Sequence, residues 1–195
     1  MLINVIHFYQ NINEGVIFMI KNRTIYCERP LDKRSAEEEA VYDILEQLEI
    51  DFKRLDWTPE DEGNENVYEI LGIMRLKNLL LCNAQKTKFY LLVMPASVPF
   101  KSNVLSKQLG TPRFSFAPEE NLKELLHVKP GSASILGLHN DKERVVNLCI
   151  DERVLEQEFY GCHPCVNTTS LKIKTEDILN KFLTHTGHFY TIVRM

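Results

Sequence analysis

The sequence predicts an α+β fold with a mixed, largely antiparallel sheet. Three observations carry that prediction: short apolar runs bounded by turn residues, helical patterns scattered irregularly between them, and hairpin turns joining several of the runs. No internal repeat or low-complexity segment interrupts the pattern. At 195 residues, 44% of them apolar, the chain is long enough to bury one core without staples.

Residues 1–26 alternate apolar patches, Val5-Ile6 and Val16–Ile20, around the turn-prone Asn13-Glu14-Gly15. They suit a hairpin or an extension loosely attached to a domain spanning 27–195. Met19 is an alternative start, which an intact mass matching initiation at Met1 would rule out. Ser35 and Glu38 make a capping box, and Val41, Ile44, Leu45 and Leu48 then fall on one helical face. Residues 52–57 read as a strand, and Thr58–Glu69 as an exposed acidic loop or short helix, a candidate lid. Leu79–Cys82 and Phe89–Met94 form an apolar hairpin around Asn83-Ala84-Gln85-Lys86. Ser102–Leu109 is a helix stopped by Gly110, and Pro118 opens another whose Leu122, Leu125 and Leu126 face inward. Ile135–Leu138 reads as a strand turning at Asn140-Asp141 to pair with Val145–Ile150. A short helix over Glu152–Glu158, a loop over 161–165 and a strand over Leu171–Lys174 follow. Thr175 caps a helix over Glu176–Thr184, Gly187 ends it, and His188–Val193 closes the chain as a strand.

The net charge of −4 argues against a general nucleic-acid binder, but it averages over an asymmetry. Residues 35–70 hold 13 acidic and 2 basic side chains, whereas residues 71–195 carry a net +5. A polyanion can approach the second half, and a solvated acidic helix face explains the first half equally well. The first twenty residues are broken by Asn4, His7, Gln10 and Glu14, so they read as neither signal peptide nor membrane span, and a cytoplasmic protein is expected. Five cysteines, an odd number with Cys82 and Cys149 inside strand patterns, fit a reducing compartment rather than a disulfide framework.

Three places can carry chemistry. Lys77 and Asn78 sit at the mouth of the first hairpin strand, where a cation and an amide on a rigid element can hold a phosphate or a ribose; a solvated lysine beside a strand is the plainer reading. Gly131-Ser132-Ala133-Ser134 has small side chains that let a ligand approach consecutive backbone N–H groups, although G-S-x-S also occurs in plain turns. Cys162-His163-Pro164-Cys165 is a C-x-x-C without a second pair to complete a zinc site, and a strand follows it rather than the helix a thioredoxin-type pair needs. His163 in such a loop serves more often as a hydrogen-bonding scaffold than as a catalyst. No nucleotide-binding, Ser-His-Asp or H-E-x-x-H signature appears, so a reaction here relies on positioning and oxyanion contacts, as hydrolysis of an activated ester does.

Lys77-Asn78-Leu79-Leu80-Leu81, Arg113-Phe114-Ser115-Phe116-Ala117, Pro130-Gly131-Ser132-Ala133-Ser134 with Asn140-Asp141, and Gly161-Cys162-His163-Pro164 with Asn167-Thr168 occur in one order and spacing. In these the chain resembles the freestanding relatives of the prolyl-tRNA synthetase editing domain, the YbaK-like proteins of the PrdX (ProX) branch, over roughly residues 27–195. The resemblance implies a barrel-like mixed β-sheet wrapped by helices. It also implies a deacylase that hydrolyses mischarged tRNA, typically alanine on proline tRNA, with water as nucleophile and without metal or other cofactor. By the same resemblance Lys77 and Asn78 contact the terminal adenosine, and the amides of Gly131, Ser132, Ala133 and Ser134 face the ester carbonyl. His163 shapes the pocket near the ribose, with Asn167 among the substrate-binding residues. tRNA is the implied partner, with prolyl-tRNA synthetase as a second. Ile135, where many relatives have proline, and Leu76, where many have Thr or Cys, mark departures that bear on the choice among alanine, serine and cysteine. A tRNA- or synthetase-binding protein without hydrolysis and a thiol oxidoreductase using Cys162 and Cys165 are the competing readings.

Overall fold

Ser35 caps α1, Ala36–Gln47: its Oγ accepts from the Glu38 N–H at 3.2 Å, and Val41, Tyr42 and Leu45 bury the inner face of the helix. The structure, a computed structural model, describes residues 24–57, 66–111 and 113–195. The expected N-terminal hairpin, the alternative start and residues 58–65 of the candidate lid lie outside the described residues. The rest of that segment forms α2, Asn66–Leu71, whose Val67 and Leu71 pack on Leu55 and Trp57.

The described residues form eight strands in chain order: β1 Phe52–Asp56, β2 Leu76–Cys82, β3 Phe89–Pro95, β4 Ser115–Phe116, β5 Val146–Asp151, β6 Phe159–Cys162, β7 Thr169–Lys174 and β8 Tyr190–Val193. They make a three-stranded antiparallel sheet, β1-β7-β6, and a five-stranded mixed sheet, β4-β2-β3-β5-β8. The expected hairpin is present as β2–β3, in register from Leu76↔Pro95 to Cys82↔Phe89. Strands β3, β5 and β8 run parallel, and parallel neighbours require long crossovers. The first carries α3, Ser102–Leu109, and α4, Glu119–Leu126; the second carries α5, Glu152–Leu155, and the closing helix. That helix comprises α6, Thr175–Asp177, a wider turn over Ile178–Phe182, and α7, Leu183–Thr186. Gly187 ends it at φ 72°, and Gly110 ends α3 at φ 61°, the left-handed position that favours glycine.

Between the sheets lies the main core. Phe52, Tyr160, Leu171 and Ile173 from one sheet meet Leu80, Leu91, Val93 and Leu148 from the other, with α1 and the closing helix packed alongside. The opposite face of the five-stranded sheet buries Leu81, Leu92 and Met94 under Leu105 of α3 and Phe114. Strands covered on both faces read as continuous apolar runs, which is why β2 and β3 stand out in the sequence. No strand pairing among the described residues joins the two sheets, so the barrel-like expectation takes the form of two sheets on a shared core.

One expected hairpin is absent. Ile135–Asn140 forms a tight helical turn instead of a strand, with Ser134 Oγ accepting from the Leu136 N–H, and β5 pairs with β3 and β8. Ile135, Leu136 and Leu138 are all buried, and periodicity alone does not separate such a run from a strand. Gly137 lets this turn pack on α4, because a Cβ there would come within 3.2 Å of the Leu126 carbonyl oxygen. The Asp141 carboxylate then accepts from the N–H groups of Val145 and Val146, which starts β5.

Candidate functional site

Side chains alternate across a strand, so Lys77 and Asn78 leave opposite faces of β2. Asn78 shares its face with Leu76 and Leu80, which pack on the main core with Ile135, Cys162 and Cys165. Lys77 shares its face with Leu79, on the α3 side. The Lys77 ammonium donates to the carbonyls of Val98 and, at 3.3 Å, Ala96, just after β3. The half-buried Asn78 presents an Oδ1 that is buried and has no hydrogen-bond partner among the described residues. A buried acceptor left unmade costs roughly 1–3 kcal/mol, so this position favours a donor from water or ligand.

Two glycines mark close approaches involving the other predicted residues. A Cβ on Gly161 would lie 2.8 Å from Ile73 Cδ1 and 3.1 Å from the Met74 carbonyl oxygen, so β6 passes tightly against the chain leading into β2. Gly131 adopts φ +85°, where a Cβ would be strained, and its open side lies 3.9 Å from Asn167 Nδ2. The 131–134 loop and the 163–167 loop are therefore neighbours. Within the first, the Ser132 N–H donates to the Lys129 carbonyl at 3.0 Å, and Ser132 and Ser134 are buried. The N–H groups of Gly131, Ala133 and Ser134 have no acceptor among the described residues. The structure brings the Gly131–Ser134 loop beside Asn167, sets Asn78 on the face of β2 whose Leu76 and Leu80 pack in the same core as Ile135 and Cys162, and directs Lys77 to the opposite face.

His163 is clamped. Its Nδ1 lies 2.8 Å from the Thr169 carbonyl, and a carbonyl only accepts, so Nδ1 carries a proton. Its ring sits 6.0 Å from Trp57, whose Nε1 donates to Ser170 Oγ at 3.0 Å and whose backbone N–H donates to the Thr168 carbonyl. Thr169 Oγ1 in turn bonds Asp56 Oδ1 at 3.0 Å and lies 3.4 Å from Glu38 Oε1. Burial works to raise the Asp56 carboxyl, but the hydrogen bonds and charge of Arg54 and Arg34 outweigh it and hold the group below the usual carboxylate range. Sequence reasoning missed Trp57 and Thr169. Only the uniqueness of Trp57 as the single tryptophan hinted at the first.

The C-x-x-C pair belongs to the interior. Cys162 and Cys165 are free thiols inside the main core, and burial pushes the Cys165 thiol up to about 12. A redox pair needs an accessible thiolate, so this arrangement removes the basis of the oxidoreductase reading. Among the described residues, no three His, Cys, Asp or Glu side chains converge as a metal-binding group. A groove of about 430 Å³ between Cys27–Leu31 and Leu45–Phe52, and another of about 290 Å³ beside Leu183–Tyr190, are lined by none of the predicted site residues.

The family model described as the aminoacyl-tRNA editing domain matches residues 67–181. The prolyl-tRNA editing protein ProX of Acetoanaerobium sticklandii is 24% identical over 159 residues, covering 82% of this chain and 86% of that protein. Prolyl-tRNA synthetase associated domain-containing protein 1 of Danio rerio is 30% identical over 161 residues, covering 76% of this chain and 86% of that one. A solved structure of a candidate trans-editing enzyme for prolyl tRNA synthetase superposes with a TM-score of 0.63 at 14% identity, over 84% of this chain and 99% of that one, a likeness of fold. With the family model spanning more than half of the sequence, and a relative 30% identical over three quarters of it, the chain belongs to the aminoacyl-tRNA editing domain family.

Proposed function

We propose that this protein is a trans-editing deacylase that hydrolyses the ester of a mischarged tRNA, alanyl-tRNA(Pro) first among the substrates. The observation that carries the reading is a pair of unmet polar groups among the described residues, the buried Asn78 acceptor and the unpaired amides of the Gly131 loop beside Asn167. Such a surface supplies acceptors and donors to a nucleoside and an ester, and no strong base. Asn78 Oδ1 takes a donor of the terminal adenosine. Amides of Gly131, Ala133 and Ser134 polarise the ester carbonyl, and the ordered imidazole of His163 lines the ribose side. Lys77, at the rim, exchanges its two carbonyl acceptors for a phosphate oxygen. Water adds to the carbonyl, the bond between the acyl carbon and the ribose oxygen breaks, and that oxygen takes a proton.

The domain is taken as residues 27–195, working in the cytoplasm where tRNA is charged, with prolyl-tRNA synthetase a candidate partner. Among the described residues no helix is long and apolar enough to cross a membrane. Choice among small aminoacyl groups is the harder task for such a pocket, because one methylene is worth only about 1–3 kcal/mol. The test is release of alanine from alanyl-tRNA(Pro), with prolyl-tRNA(Pro), seryl- and cysteinyl-tRNA alongside. Release of alanine with the prolyl ester spared is expected. Binding of tRNA without release from any of them would make the protein a tRNA-binding relative rather than an enzyme.

A further inference from the structure

Between Ile70 and Pro118 the chain carries seven lysines and arginines and not one aspartate or glutamate, in a protein whose net charge is −4. That span builds β2, β3, α3 and β4, one end of the five-stranded sheet, with β4 as its outermost strand. On β4, Phe116 is 62% exposed, and its ring lies 5.7 Å from that of Phe100, tilted by 58°. Cations frame the pair. Lys101 follows Phe100, and Ser102 Oγ, bonded to both the N–H and the carbonyl of Phe114, holds the start of α3 against β4 beside Arg113. Ser115 pairs with Cys82, which brings the hairpin turn bearing Lys86 and Lys88 to the same corner. Lys86, Lys88, Lys101 and Arg113 are exposed, and none has a carboxylate partner among the described residues.

An exposed aromatic ring, backed by the half-buried Phe100 and set among cations without carboxylate partners among the described residues, matches one kind of partner: single-stranded nucleic acid, whose bases stack and whose phosphates are negative. We propose that the β4 edge is a stacking platform for the unpaired nucleotides at the 3′ end of tRNA. Phe116, backed by Phe100, takes a base, while Lys101, Arg113 and the hairpin lysines take phosphates. The inference rests on the deacylase reading and adds to it a path by which the acceptor strand arrives. Strand β4 pairs with β2 at Leu81 and Cys82, roughly 10 Å along the strand from Asn78, and the next residue, Ala117, donates its N–H to the Leu80 carbonyl at 2.9 Å. A strand lying on the platform therefore runs along the stretch of β2 that β4 does not pair with before it reaches Asn78, and Lys77, one residue farther on, stands on the same face of the sheet as Leu81 and Leu79.

The experiment measures Kd for deacylated tRNA(Pro), and for the same tRNA shortened by its last three nucleotides, across a range of salt. Wild type is compared with Phe116→Ala, with the double variant Lys101→Ala/Arg113→Ala, and with Lys53→Ala on β1 as a control; thermal melts verify that each is folded. Phe116→Ala is expected to weaken binding of the full tRNA about tenfold and to leave the shortened tRNA unchanged. The double variant weakens both and lowers the slope of log Kd against log salt by about 1 to 2. The control matches wild type. Wild-type affinity of Phe116→Ala for both tRNAs overturns the platform, and if it also hydrolyses alanyl-tRNA normally the deacylase reading survives that failure. A change in self-association with intact tRNA binding would make the patch a protein interface and overturn the proposal equally. Absence of both binding and hydrolysis in wild type would show that the deacylase reading itself had failed.

Discussion

Dense charge occurs twice in this molecule, around α1 and at the β4 edge, and the fold treats the two regions in opposite ways. Around α1 the acids are answered from within. Arg29 bonds Glu39, Asp43 and Glu46, while Arg34 and the buried Arg54 converge on Asp56. That region is then tied to Thr169 and, through its carbonyl, to His163. At the β4 edge the cations are exposed, with no carboxylate partner among the described residues. Charge density in a sequence is thus not yet a functional signal; what distinguishes the regions is whether the chain supplies the counter-charge itself.

Substitutions should separate the two regions by what they damage. The largest stability effect belongs to Arg54, 4% exposed, paired with Asp56 and stacked 4.3 Å over the Tyr26 ring. Arg54→Ala should cost about 3 kcal/mol in urea unfolding. A loss below about 1 kcal/mol would break the claim that arginines organise the acidic region.

His139 sharpens the contrast from the interior, as a buried base that the fold keeps uncharged. Burial first, and then the charges of Lys142, His127 and His185, push it down to about 4, and Asn140 Nδ2 donates to its Nε2 at 3.0 Å. The unfolded chain binds a proton near pH 6.5, so between that pH and about 4 it holds more protons than the native state. Stability should therefore fall as pH falls through that window, by about 3 kcal/mol, and His139→Gln should flatten this part of the profile. An unchanged profile would mean that His139 is protonated in the fold.

The smallest effects lie at the surface. Arg29→Ala should cost at most about 1 kcal/mol despite its three ion pairs, because its partners are well exposed. Lys101→Ala/Arg113→Ala should change stability by less than about 0.5 kcal/mol while it changes tRNA affinity. Destabilisation by the second pair exceeding that from Arg29→Ala would reverse the comparison.

Features set by local chemistry were legible in the sequence. The Ser35 cap, the β2–β3 hairpin, and the glycine stops at 110 and 187 depend on residues within a few positions of one another. The parallel pairing of β3, β5 and β8 was not, because Leu92 meets Cys149 and Cys149 meets Thr191 only after long crossovers. Ile135–Leu138 is buried throughout, and a run without a period does not distinguish a strand from the tight helical turn it forms. At the site, Gly131 was legible from its small neighbours. Lys77 and Asn78 looked like one unit in sequence, yet the pleat sends them to opposite faces. The Trp57–Thr169 clamp on His163 joins β1 to β7, and no spacing rule announces it. The C-x-x-C was visible as a motif, but its burial was not.

If the protein edits tRNA on the face of β2 that bears Asn78, removing the Asn78 amide should slow hydrolysis. This is tested most directly by following alanine release from alanyl-tRNA(Pro) with wild type, Asn78→Ala and Cys165→Ser, each verified as folded. The account predicts that Asn78→Ala loses on the order of tenfold or more in rate, through the loss of one buried substrate hydrogen bond, and that Cys165→Ser keeps its activity. Full activity in Asn78→Ala, or loss of activity in folded Cys165→Ser, would contradict it.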